Sequence, residues 1–172
     1  MPQPDAMQEG LSVLIPVYTD ADALECNAAI GEMANCKLYK RQQNSGSAAT
    51  RNFLAEQGAY PWLLFLDCDV DIPDDGFVGK YLQNRVDGAV VSGGVKTCRE
   101  SKRLKSNLRY VYEHNAEASY TAAMRSKRPY KSFRSVNFLM QKDLFLSVRF
   151  NEGMKRFEDV FFGKVLQERG IR

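Results

Sequence analysis

The sequence predicts an α/β domain: a mostly parallel sheet flanked by helices. Three observations carry that expectation. Short apolar, β-branched runs recur along the chain, and stretches of helical composition alternate with them. One run, Trp62–Leu66 (WLLFL), is apolar at every position. A strand of that kind is buried on both faces, as in parallel sheets. The same run stops abruptly at Asp67-Cys68-Asp69, and in open α/β sheets ligands bind beyond the carboxyl ends of strands.

The elements follow in order. Residues 1–10 are polar and read as a disordered lead-in to a single domain spanning 11–172. Leu11–Val17 (LSVLIPV) reads as a buried strand stopped near its end by Pro16. A helix is expected at 21–34 and a weaker strand at Lys37–Arg41. In NSGSAATRNFLAEQGA, Ser45 and Ser47 around Gly46 offer cap and turn chemistry for a helix from Ala48 to Gln57, ended by Gly58. After the central strand come a helix at Gly76–Val86 and a short strand at Gly88–Gly93. An amphipathic helix at 101–119 and a strand at Ser135–Met140 follow. The last two elements are a short helix at Lys142–Val148 and a closing helix at Glu158–Arg169, with Val160, Phe161, Val165 and Leu166 as its apolar stripe.

Composition narrows the function classes. With 172 residues, 44% hydrophobic and 26% charged, the chain can bury a core without staples. A net charge of +3 is too small to argue for nucleic acid. Lys and Arg nevertheless cluster at Lys96–Arg109 and at Arg125–Arg134. Such clusters are solvated faces in the ordinary case; they also suit an acidic partner or anionic lipid. One His and four cysteines without a C-x-x-C pair argue against structural zinc. No leader-like or membrane-spanning run is present, so the expected location is the cytoplasm, with contact at the inner membrane face left open.

The acidic strand end is the most informative chemical feature. Carboxylates are costly to bury unpaired, so Asp67 and Asp69 should face solvent, a cation or a proton to be moved. Oxygen-only sites suit Mg²⁺ or Mn²⁺ shared with a diphosphate. A plainer alternative has the same acids capping the next element. His114, Trp62 and the tyrosines near 110–120 fit surface or packing roles.

Four motifs then occur in a fixed order: LSVLIPVY, NSGSAATRN, LLFLDCDVDIP and FNEGMKRFEDVFFGKVLQERG. That order resembles family 2 glycosyltransferases, inverting enzymes with the Rossmann-like GT-A fold. The resemblance implies metal-dependent transfer of a sugar from a UDP- or GDP-sugar donor to a glycan or lipid-linked acceptor. By matching motifs, Pro16, Tyr18, Arg51, Asn52 and Asp67 would contact the donor, and Asp69 would hold Mg²⁺ or Mn²⁺. Gly93, Gly94 and Asn137 would face the acceptor. Glu158 and Asp159 would form the catalytic pair, with Asp159 the general base. An inverting displacement needs one carboxylate to take the acceptor proton while a cation supports the leaving diphosphate.

The chain departs from that pattern. The family's second-strand V-D-D-G-S-like segment, which recognises the base, has no counterpart; the stretch between Tyr18 and Asn44 has room for one helix and one strand. The family pattern also continues beyond the final helix. The expectation is thus a GT-A fold that is incomplete, internally shortened and cut at its C-terminus, with a non-catalytic fragment as the alternative. A further alternative is a haloacid-dehalogenase-like phosphatase, whose apolar-strand D-x-D pattern WLLFLDCDV also fits. There Asp67 would be the nucleophile and Asp69 the acid.

Overall fold

A computed structural model describes residues 10–17, 45–95, 108–112, 115 and 120–172. Outside the described residues lie most of the lead-in, Tyr18, the helix expected at 21–34, the strand at Lys37–Arg41, most of the 101–119 helix, His114 and most of the Lys96–Arg109 cluster. In chain order the elements are β1 (Leu11–Leu14), α1 (Ser47–Gln57), β2 (Trp62–Leu66), α2 (Phe77–Gln83), β3 (Val91–Ser92) and α3 (Leu108–Tyr112). There follow α4 (Ala122–Ser126), α5 (Pro129–Ser132), β4 (Asn137–Gln141), α6 (Lys142–Val148) and α7 (Glu158–Glu168).

The four strands form one sheet in the order β1-β2-β4-β3. β1 and β2 pair in parallel, from Leu11 opposite Trp62 to Leu14 opposite Phe65. β4 runs the other way between β2 and β3, so both of its interfaces are antiparallel. This corrects the expected mostly parallel, GT-A-type sheet: the sheet is small, mixed and mainly antiparallel in its pairing. The physical reason is plain at β2. All five of its residues are buried, as an unbroken apolar run predicts. Burial on both faces, however, says nothing about the direction of the neighbouring strand. β3 is also shorter than the expected Gly88–Gly93, and β4 starts two residues later than Ser135.

Alternation along β2 and β4 divides the core. Leu63, Phe65, Phe138 and Met140 face a layer that includes Leu54 and Ala55 of α1, Phe145 of α6, and Phe162 and Leu166 of α7. Trp62, Leu64, Leu66 and Leu139 face Tyr81 of α2, with Val13, Ile72 and Phe77 packed around them. The first layer is rich in phenylalanine. Phe65 and Phe138, opposite each other in the β2–β4 register, stack with centroids 4.5 Å apart, and Phe150 stacks on Phe162 at 4.3 Å. Such pairs add about 0.5–1.5 kcal/mol each beyond the area they bury.

Two contacts fix the helices that matter below. Lys142 Nζ donates to the carbonyls of Glu56 (3.1 Å) and Gly58 (2.7 Å), closing the carboxyl end of α1 with a cation where the helix dipole favours one. At Gly163, a Cβ would stand 2.5 Å from the Tyr130 carbonyl oxygen, so only glycine lets α7 lie this close to α5. No described helix is long and apolar enough to cross a membrane.

Candidate functional site

β1, β2 and β3 all end at one edge of the sheet, and β4 begins there. The Asp67 amide carries the ladder one step beyond β2 by donating to the Val136 carbonyl at 2.9 Å. Alternation with Leu63 and Phe65 turns the Asp67 side chain toward α1 and α7. There it meets Arg51, midway along α1, whose Nη2 donates to Asp67 Oδ1 at 2.5 Å. Arg51 is only 4% exposed. Its Nη1 lies 3.6 Å from Glu158 Oε1, and its Cζ is 5.6 Å from the centre of the Phe150 ring. Glu158 opens α7 and accepts from Ser47 Oγ at 2.5 Å. Phe157, just before it, turns the chain through a left-handed backbone conformation (φ 61).

The electrostatics follow from this arrangement. Burial pushes the Asp67 carboxyl above its ordinary range. The charge and hydrogen bond of Arg51 oppose that push, while the charges of Asp69 and Glu158 add to it. Asp67 and Glu158 thus share one guanidinium, with the charge of Asp69 acting on Asp67 from beside them. Arg51 Nε and Nη1 are buried without a hydrogen-bond partner among the described residues, an arrangement that is costly in a low-dielectric surround. Asp69 is exposed just past this cluster. Among the described residues no three His, Cys, Asp or Glu side chains form a complete metal cage. A cation here would take one or two carboxylates from the protein and its other ligands from outside.

The remaining expected site residues fall in several places. Asp159 is half-buried, and its Oδ1 accepts from the Val160 amide of its own helix at 2.8 Å. Asn52 is buried beside Arg51 and holds another segment: it accepts from the Phe150 amide (3.0 Å) and donates to the Phe150 carbonyl and to Glu152 Oε1 (2.9 Å each). Pro16 is buried just past β1, at the same sheet edge as Asp67. Asn137, Gly93 and Gly94 meet on the opposite face. Asn137 Oδ1 accepts from Tyr81 Oη at 3.0 Å and its Nδ2 donates to the Gly94 carbonyl at 3.1 Å. Tyr18 lies outside the described residues.

Two participants were not expected from sequence. Ser47 was read as cap chemistry for α1, but Gly46 holds the cap position and Ser47 binds Glu158. Its position four residues before Arg51 was the available signal, since i and i+4 share a helix face. Tyr81 was read only as part of a helix.

No family model matches the chain, and no curated protein matches it either. The sheet settles the resemblance. A small mixed sheet with two antiparallel interfaces out of three is not the GT-A core, so the family 2 glycosyltransferase reading is withdrawn, together with its inverting transfer of a nucleotide-linked sugar and its GT-A-like fragment alternative. The phosphatase reading does not replace it, because β1 precedes the strand that would have to come first. No finding supports a specific catalytic assignment.

Proposed function

We propose that this chain binds a diphosphate-bearing small molecule together with Mg²⁺ or Mn²⁺ at the carboxyl end of β2. The observation that carries the reading is the excess of negative charge around Arg51: Asp69 and Glu158 both act on Asp67, and among the described residues Arg51 is the one cation paired with Asp67 and Glu158. A divalent ion offsets that excess. Mg²⁺ and Mn²⁺ accept oxygen ligands, and Mg²⁺ is commonly held by one or two carboxylates with phosphate oxygens and water completing its shell. Asp69 is the exposed first ligand. Asp67 stands behind it, oriented by Arg51, and Arg51 is itself held by Glu158.

Calorimetry tests this. Mn²⁺ alone should bind weakly, and UDP or GDP with Mn²⁺ present should bind in the micromolar range. Nucleotide binding that is indifferent to Mn²⁺, or no heat at millimolar ligand, overturns the reading.

A further inference from the structure

A second concave site shares no residue with the acidic cluster. It is a cleft of ≈ 140 Å³ between the end of β3, helices α4 and α5, and the carboxyl-terminal part of α7. Its walls are mainly apolar, with Val90, Phe133, Leu166 and Ile171 among them. Five polar side chains interrupt them: Ser92, Arg125, Ser126, Ser132 and Arg172. Ser92 Oγ is buried and has no hydrogen-bond partner among the described residues. Arg125 donates Nη1 to the Tyr120 carbonyl at 2.8 Å. Its other N–H groups have no partner, and no carboxylate pairs with it, among the described residues.

We propose that this cleft binds a small carboxylate with a compact apolar body. Each part of the ligand answers a part of the site. The apolar walls favour a dry, water-poor body, and a cavity of this size admits something near a single aromatic ring. Arg125 offers two parallel N–H donors, the geometry that carboxylates fit best. Ser92 donates a third hydrogen bond and so gains the partner that burial otherwise denies it.

Benzoate is the probe, titrated into the intact chain and followed by heteronuclear NMR or calorimetry, with benzamide as the neutral isostere. Benzoate should bind with a Kd on the order of 1 mM or tighter. Benzamide should bind about tenfold or more weakly, because it leaves Arg125 unpaired. Arg125→Gln should bring benzoate down to the benzamide level, with shifts confined to residues around Ser92 and Phe133 in the unaltered chain. Equal binding of the two probes, no binding of benzoate at tens of millimolar, or undiminished affinity in Arg125→Gln overturns the proposal. The comparison of the two probes on the unaltered chain needs no variant, so it stands even if the substitution perturbs folding.

Discussion

Two polar clusters stand at the same edge of the sheet, one on each face, and they are built on opposite principles. On the α1–α7 face, Arg51, Asp67 and Glu158 are charged, partly buried and incompletely satisfied. On the α2 face, Tyr81 and Asn137 are neutral and buried; Asn137 uses its side-chain oxygen and its amide nitrogen in hydrogen bonds of 3.0 and 3.1 Å. Satisfied neutral networks hold a structure in place. Charge that the fold concentrates without neutralising is the usual mark of a site that waits for a partner. The difference between the faces is what separates the candidate site from scaffolding.

The largest effect should come from breaking the charged side. Arg51→Met leaves Asp67 and Glu158 without their shared cation, and stability measured in urea should fall by about 3 kcal/mol, the usual cost of stranding a buried charge. The pH dependence gives a sharper signature. Because burial raises the Asp67 pKa above its ordinary 3.8, this group favours the folded state most when protonated. That contribution is complete below 3.8 and is lost as pH rises through the folded value. Removing Arg51 deletes both influences that hold the folded value down, so the variant should regain part of its lost stability when acidified from neutral pH toward the ordinary carboxylate range. A variant equally destabilised at every pH would show that Arg51 acts through packing alone.

The neutral side should break sterically. A Cβ on Gly93 would lie 2.1 Å from Tyr81 Oη and 2.3 Å from Asn137 Oδ1. Gly93→Ala must therefore separate the pair and strand buried polar atoms, at a cost of about 2 kcal/mol by chemical denaturation. Cation binding at the other face should be unchanged, and a parallel loss of both would show that the two clusters are one unit.

The smallest effect is spectroscopic. Burial pushes the Tyr81 hydroxyl up from 10.0 to about 12. Absorbance titration should show one tyrosine ionising well after the exposed ones, and Tyr81→Phe should remove that late step. The unfolded chain loses this proton near 10.0 while the folded chain keeps it to about 12, so folding stability from this group falls as pH rises across that window. Ionisation of every tyrosine near 10 would contradict the buried, paired placement.

How much of this was legible in the chain can be judged from single elements. The Lys142–Val148 helix was readable to the residue, and α1 and α7 to within one, because apolar spacing and Gly58 mark them. The double burial of β2 was readable from WLLFL. Strand direction was not, because β4 reaches β2 from more than seventy positions away and local pattern carries no sign of which way it runs. At the site, the acids after β2 announced themselves by following an apolar strand. The partnership of Arg51 with Asp67 and Glu158 was hidden, since it joins three elements across the fold. Ser47 was misread because serine beside a helix start is usually a cap, and tertiary contact with Glu158 overrode that local preference.

The central claim is that the uncompensated acids at the end of β2 hold a divalent ion with a diphosphate. Its most direct test is the Mn²⁺-dependent affinity for UDP in Asp69→Asn set against Asp143→Asn, an equally charge-reducing change at an exposed position of α6. Asp69→Asn should weaken binding at least tenfold while leaving the unfolding midpoint nearly unchanged, and Asp143→Asn should leave both as they are. Equal affinities in the two variants would contradict the account.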